Sequence, residues 1–338
     1  MSTTIRDVAE KAGVSPMTVS KVLHNRGANV RVSVETADRV RSVADGLGYQ
    51  PNNLARSFRT RRTDTIGLYY QYIKIDDHKS GYFLKLIAGV TQAAFEHEIS
   101  VTICPKLLTR SDKPFADGRF DGLVWCTVPA GSSEASRLIR AKLPVVFLHA
   151  PESSLPGSAT FCCDNYHGLE LAVAHLASLG HRRIAFTIDP FNKESVEGQE
   201  RQSAFRQSCQ SQAIDGRILV WEENCYEVGD WMRERGHATA IITFSEVMAG
   251  AILNRAKESG ISIPQDLSVV GYDSTFYCEL TEPKLTAISQ PVEQMAYDAT
   301  KKLFHMIDSG DRSAAHSSYR CGLDIRESTA PPHTSKQR

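Results

Sequence analysis

The sequence predicts an α/β chain: a small all-helical head, then two lobes built of parallel sheet and helix. Three observations predict it. Two short amphipathic helices joined through a glycine fill the first 24 residues. Beyond them, short apolar runs alternate with helical stretches, the pattern of parallel strands with crossover helices. The charge is also partitioned. Lys+Arg 39 balances Asp+Glu 39 overall, yet residues 1–63 carry 11 basic side chains against 5 acidic, and the remainder 28 against 34. A neutral total therefore hides a basic head on an acidic body, and a basic head is the footprint of a surface that meets phosphates.

Thr4 precedes Ile5-Arg6-Asp7, a capping-box-like start with an acid in the first turn. Ile5, Val8, Ala9 and Ala12 share one face at helical spacing. Gly13 follows, where a left-handed residue ends a helix cheaply. Ser15 can cap a second helix, with Pro16 at its first position, where no amide donor is missed. Val19, Val22 and Leu23 form its apolar face, which leaves Met17, Thr18, Ser20 and Lys21 outward. This is a helix-turn-helix, whose second helix presents such residues to base edges and phosphates in the major groove. A plain helical hairpin in a core would not need both caps and the turn. Ser33 is the expected cap of a third helix, with Val40, Val43, Ala44 and Leu47 inward.

The body, 275 residues from position 64 on, is long enough for two lobes. TIGLYY is followed by the amphipathic FLKLIAGVTQAAFEHE; SVTICP, GLVWCTV and PVVFLHA come next. Later, RRIAFTI, AIITF and LSVVGYD read as strands, with LELAVAHLASLG and MAGAILNRAKESG as helices. In doubly wound lobes, ligands bind at the carboxyl ends of the strands.

The stretches TIRDVAEKAGVSPMTVSKVL, VETADRV, LGYQPNNLARSFRT, IGL, FDGLVW, CDNYHGLELAVAHLASLGHRRIAF, IPQDLSVVGYDS and LTAISQP, in that order, closely resemble the LacI/GalR family of bacterial transcriptional regulators. The resemblance spans nearly the whole chain. It implies a helix-turn-helix domain (1–50), a hinge helix and linker (51–63), and a two-lobed, periplasmic-binding-protein-like sensor with parallel sheets. The lobes implied are 64–162 with 291–320 and 163–290 with 321–330, before a disordered tail at 331–338. It implies DNA contact through Thr4, Ser15, Pro16, Met17, Thr18, Ser20, Lys21, His24, Asn25, Ser33, Tyr49, Asn52, Ala55, Arg56 and Phe58. Two hinge helices from a dimer are expected in the minor groove, with Phe58 where the family carries a wedging Leu. Phe is among the apolar side chains that pry base steps apart, and pyrimidine–purine steps open most easily. Ala55 matches the small residue at the groove floor, and Arg56 and Arg59 read as phosphate contacts. The partners implied are double-stranded palindromic operator DNA, a second copy of the chain, and a small-molecule effector, a sugar or sugar derivative.

The expected effector contacts are Tyr82, Phe83, Trp125, Thr127, Asp164, Arg201, Phe244, Ser245 and Asp273. Arg201 and Asp273 match the family's clamp and its acidic counterpart. A forked donor and a carboxylate suit adjacent hydroxyls; the alternative is an ion pair between the lobes, and the match to the family favours ligand contact for both. Asp164 either meets the effector or caps the following helix. Tyr82 and Phe83 either stack on sugar C–H surface or pack in a core. The chain departs from the family at Ser245-Glu246, at Leu148-His149 and in the long loop YYQYIKIDDHKSGYF, all around the expected pocket. His149, being alone, reads as structural.

Eight cysteines show no CxxC spacing, so buried free thiols are expected and no metal or cofactor is implied. Neither a signal peptide nor a long apolar run is found, which leads to the expectation of a cytoplasmic protein. The final STAPPHTSKQR is expected to be disordered and carries no leucine heptad, so a dimer without a tetramerising helix is expected. No GxSxG, HExxH, P-loop or dinucleotide fingerprint supports an enzyme. The expected activity is effector-relieved repression of carbohydrate-utilisation genes. The alternatives are a corepressor-dependent regulator and a solute-binding protein of the same lobe fold.

Overall fold

The computed structural model describes residues 3–24, 32–50, 57, 60, 62–70, 81–104, 118–128, 132–140, 143–222, 224–233 and 237–333. The chain divides into two compact units, 1–63 and 64–338.

Among the described residues the first unit includes α1 (Ile5–Ala12), α2 (Pro16–His24) and α3 (Val34–Gly46). Local chemistry sets their ends. Thr4 and Asp7 form a reciprocal capping box on α1, which satisfies two otherwise orphaned amides. Gly13 takes φ +65°, and its N–H reaches back to the carbonyls of Ala9 and Glu10, a closure open to glycine because it lacks a Cβ. The Ser15 hydroxyl accepts the Thr18 N–H at 3.1 Å, and Ser33 accepts that of Thr36 at 3.2 Å. Val8, Ala9, Ala12, Val19, Val22, Val40 and Ala44 make the small core where the helices cross. Few of these side chains are large, so the helices approach closely, but the unit has little apolar area to bury.

The second unit contains two sheets. The strands of the first are β1 (Thr65–Tyr70), β2 (Ser100–Cys104), β3 (Gly122–Cys126), β4 (Val145–Leu148), β5 (Ala159–Asp164) and β11 (Ala315–Arg320). Its order is β11-β5-β4-β3-β1-β2, parallel throughout. The second has β6 (Arg183–Ile188), β7 (Asp215–Val220), β8 (Ala240–Thr243), β9 (Ser268–Asp273), β10 (Thr286–Ser289) and β12 (Gly322–Asp324). Its order is β12-β10-β9-β8-β6-β7, with only β12 antiparallel. We call these the first and second lobes. The chain passes between them after β5, after β10 and after β11.

Five helices position the residues of interest: α4 (Gly81–Glu96), α6 (Asn165–Ser178), α8 (Val196–Ser211), α10 (Glu246–Glu258) and α12 (Val292–Ser309); α5 (Ser133–Arg140) and the single-turn helices α7 (Pro190–Lys193), α9 (Val228–Trp231) and α11 (Tyr277–Leu280) are the other α-helices among the described residues. Helices α4 and α12 pack so closely that a Cβ at Gly89 would strike the Glu293 carbonyl oxygen. One apolar cluster runs through both lobes, from Leu86, Val90 and Leu303 to Phe186, Phe205, Ile242 and Val270. Each such large side chain withdrawn from water contributes about 1.5–3 kcal/mol.

Two expectations are corrected. Ser20 is buried, at 8% exposure, rather than turned outward. It follows Val19 by one helical step of 100°, which brings it round to the rim of the three-helix core. The segment from Ser328 to Ala330 is bound to the second lobe rather than disordered. Val269 N–H donates to the Ser328 carbonyl at 2.8 Å, and the Ser328 hydroxyl donates to the Val269 carbonyl and accepts the Thr286 N–H. Ala330 N–H donates to Ser268 Oγ at 3.0 Å. Small hydroxyl residues do here what a strand ladder would do.

Candidate functional site

The head presents Met17 at 68% exposure, with Thr18 and Lys21 half-buried beside it. The hydroxyls of Thr4, Ser15 and Ser33 sit at the three helix starts, where they hold first-turn amides. Pro16 is exposed at the start of α2. Tyr49 is half-buried against the three-helix core. His24 ends α2; Asn25, Asn52, Ala55, Arg56 and Phe58 lie outside the described residues.

Between the lobes the structure assembles a chain of polar groups around Arg201. Burial alone would lower the guanidinium's affinity for its proton, but the charge of Glu197 raises it overall. Arg201 Nη2 donates to Glu197 Oε1, Nη1 to the Phe244 carbonyl at 2.6 Å, and Nε to Asn165 Oδ1 at 3.0 Å. The guanidinium carbon lies 3.6 Å from the Tyr272 ring centre and 4.5 Å from that of Phe244. Stacking of a planar cation on ring faces suits its weak hydration. Asn165 Oδ1 also accepts the Tyr272 hydroxyl at 2.8 Å, and its Nδ2 donates to Glu200 Oε2 at 2.5 Å, which fixes which end of the amide is which.

Glu197 carries the chain of contacts across the gap. Its Oε1 stands 3.1 Å from His149 Nδ1. The contact is close but not aligned as a hydrogen bond, and Nδ1 has no hydrogen-bond partner among the described residues. His149 Nε2 lies 2.5 Å from the Tyr82 hydroxyl, which lies 3.3 Å from Cys126 Sγ. Tyr82, Cys126 and His149 belong to the first lobe, Glu197 and Arg201 to the second. Burial pushes the Glu197 carboxyl up, yet Arg201 and then His149 outweigh it and hold it down to about 2. Burial raises Tyr82 well above its ordinary value and Cys126 to about 12. His149 thus belongs to a polar relay and is not the filler the sequence suggested.

Two further ties cross the gap. Glu246 Oε1 accepts the Gly81 N–H at 3.1 Å, and Lys85 Nζ donates to the Ser274 carbonyl at 3.1 Å. The Glu246 carboxylate is fully buried and also receives Thr275 Oγ1 at 2.7 Å and Thr275 N–H at 3.1 Å. Burial first, then the charge of Asp273, raises it to about 7. Asp273 accepts Gln290 Nε2 at 2.6 Å and is raised mainly by burial.

The strand ends themselves are strained. Thr127, His149 and Asp273, at or just past the ends of β3, β4 and β9, take φ of +59°, +56° and +84°. Non-glycine residues held there collect at ligand sites.

The nine expected effector contacts therefore separate. Arg201 and Phe244 are joined directly, and Tyr82 is linked to them through His149 and Glu197. Asp273 lies within their electrostatic reach. Phe83 packs on Tyr70, ring centres 5.4 Å apart. Asp164 caps α6 through the His167 N–H at 2.9 Å, and Ser245 caps α10. Thr127 is half-buried next to Cys126. Trp125 belongs to a separate core with Tyr69 and Phe147, apart from the Arg201 group. Sequence reasoning missed Glu197, Asn165 and Glu200. Glu197 had one local signal, its place four residues before Arg201 on the same helix. Among the described residues, no group of three His, Cys, Asp or Glu side chains could hold a metal, and no helix is long and apolar enough to cross a membrane.

With this geometry in view, comparisons are informative. Residues 4–52 match bacterial regulatory proteins of the lacI family, and residues 173–329 match the periplasmic binding protein-like domain. The HTH-type transcriptional regulator DegA of Bacillus subtilis (strain 168) is 31% identical over 310 residues, 87% of this chain and 88% of that protein. The transcriptional regulator CelR–cellobiose complex superposes with TM-score 0.69 at 25% identity, over 96% of this chain and 99% of that one. The lac repressor dimer bound to operator and the anti-inducer ONPF has the same fold, with TM-score 0.80 at 22% identity over 98% and 100% of the two chains.

Proposed function

The chain belongs to the lacI family of bacterial regulatory proteins, and on that premise we propose that it is an effector-responsive repressor of carbohydrate-utilisation genes in the cytoplasm, acting as a dimer on a palindromic operator. It is a DNA-binding transcriptional regulator of the helix-turn-helix type. It regulates rather than catalyses.

The observation that carries the proposal is the set of ties between the lobes: His149 to Glu197, Gly81 to Glu246 and Lys85 to Ser274. An effector entering there competes with these contacts or completes them. Either way it changes how the lobes are held, and through residues 51–63 the DNA affinity of the head. The effect expected is a coupling of about 1–3 kcal/mol. Met17, exposed at the start of α2, favours apolar contact with thymine methyls. Phe58 wedges a central base step, probed by Phe58→Ala: DNA bending should fall while salt-sensitive, non-specific binding survives. Unchanged bending removes the wedge role.

The test of the whole reading is selection of bound duplexes from a random pool, then footprinting with the full chain. A protected palindrome is expected. Protection independent of sequence would refute it.

A further inference from the structure

Resting on that reading of the lobes, we propose that the effector carries a basic amine, and that Asp273, Gln290 and Glu246 form the point that receives it. The arginine expected to clamp a ligand is already committed. Each Arg201 nitrogen donates within the protein, and Tyr272 and Phe244 cover its faces. Three of its five N–H groups are thus engaged by the protein, which leaves at most two for a ligand.

What remains is acceptor-rich. Asp273 receives Gln290 Nε2. The same amide turns its Oε1 to a place where no donor meets it among the described residues, although Gln290 is only 3% exposed. The amide cannot be reversed, since its oxygen would then face the Asp273 carboxylate. Glu246 adds a second fully buried carboxyl group; it already accepts Gly81 N–H, Thr275 N–H and Thr275 Oγ1, and the charge of Asp273 adds to burial in raising its affinity for a proton, so a cation beside the pair would relieve both. The surrounding charges do not balance them. Five carboxyl groups, Asp273, Glu246, Asp164, Glu197 and Glu200, stand here against three cations: Arg201, Lys85, whose Nζ is held by the Ser274 carbonyl, and Arg326, which donates to Ser274 Oγ. An ammonium offers three donors, no acceptor and a positive charge, and so matches this set. A hydroxyl matches the acceptors but not the charge. A ligand acid meets repulsion.

The experiment is calorimetric titration of the full chain with three matched panels. They are glucosamine, galactosamine and mannosamine; the corresponding neutral hexoses; and the corresponding hexuronates. At least one amine should bind at least about tenfold more tightly than its neutral and acidic partners. The preference should disappear in Asp273→Asn, a change that suits the positive φ at this position because Asn tolerates it well. Should that variant not fold, Glu246→Gln should reduce the same preference. A neutral sugar or uronate that binds as tightly, an amine that binds Asp273→Asn unchanged, or a panel in which no amine binds would overturn the proposal. Footprinting without ligand reports on the regulator reading separately, because it depends on the head.

Discussion

The head and the cleft between the lobes are held together by different physics. In the head, each helix begins at a side chain three residues from the amide it satisfies, and Thr4, Ser15 and Ser33 are all exposed. In the cleft, Tyr82, His149, Glu197, Arg201 and Asn165 are drawn from α4, the residue after β4, α8 and α6 and are buried. A surface cap contributes about 1 kcal/mol and fails alone. A buried charge relay behaves as a unit, because removing one member leaves the others desolvated. The head is thus a set of independent local contacts, whereas the cleft responds as a whole. That is the division expected of a reader and a switch.

Four predictions sharpen this contrast, from the largest effect to the smallest. Glu197→Ala should destabilise the second unit by about 3–5 kcal/mol, since the buried Arg201 loses its counter-charge. Urea unfolding followed by tryptophan fluorescence measures it; a loss below about 1 kcal/mol would show that the relay is loosely solvated. Gly89→Ala should come next, by about 1–3 kcal/mol, because its Cβ has no space against the Glu293 carbonyl. Thermal unfolding that matches wild type would mean that α4 and α12 can part.

The third prediction concerns pH. Glu197 is held down to about 2 in the folded chain, so the stability it contributes is full above its ordinary value near 4.5 and disappears as the pH falls toward 2. Glu246 has the opposite sign. Its folded value is raised to about 7, so the folded chain holds a proton that the unfolded chain releases, and stability declines as pH rises from about 4.5 to 7. Stability of Glu246→Gln relative to wild type should therefore improve across that window in parallel denaturation curves. A flat difference would show that Glu246 is solvated. The smallest effect is Ser33→Ala, about 1 kcal/mol on the head alone, with amide exchange in the second unit unmoved.

The same contrast explains what the sequence made legible. The caps, Gly13 and the inward faces of the head were readable because each depends on neighbours within four residues. Strands β1, β3, β4, β8 and β9 were readable as apolar runs because both their faces are covered. Edge strands β7 and β11 were not, since DGRILV and AHSSYR are polar where they meet solvent. His149 looked solitary because its partners lie 67 and 48 positions away, at Tyr82 and Glu197. Arg201 was recognised from its motif, but the partners that engage it come from Asn165 and Phe244, which no local pattern connects.

The most direct test concerns whether the ties between the lobes set DNA affinity. His149→Asn keeps a side chain that tolerates the positive φ but is too short to bridge Tyr82 and Glu197. Operator affinity of this variant would be measured on the palindrome selected with the wild-type chain, with the dimer verified by sedimentation. The account predicts a dissociation constant changed by at least about fivefold, the lower end of ordinary allosteric coupling. A constant within about twofold of wild type, in a variant whose lowered thermal stability shows the tie is gone, would contradict it.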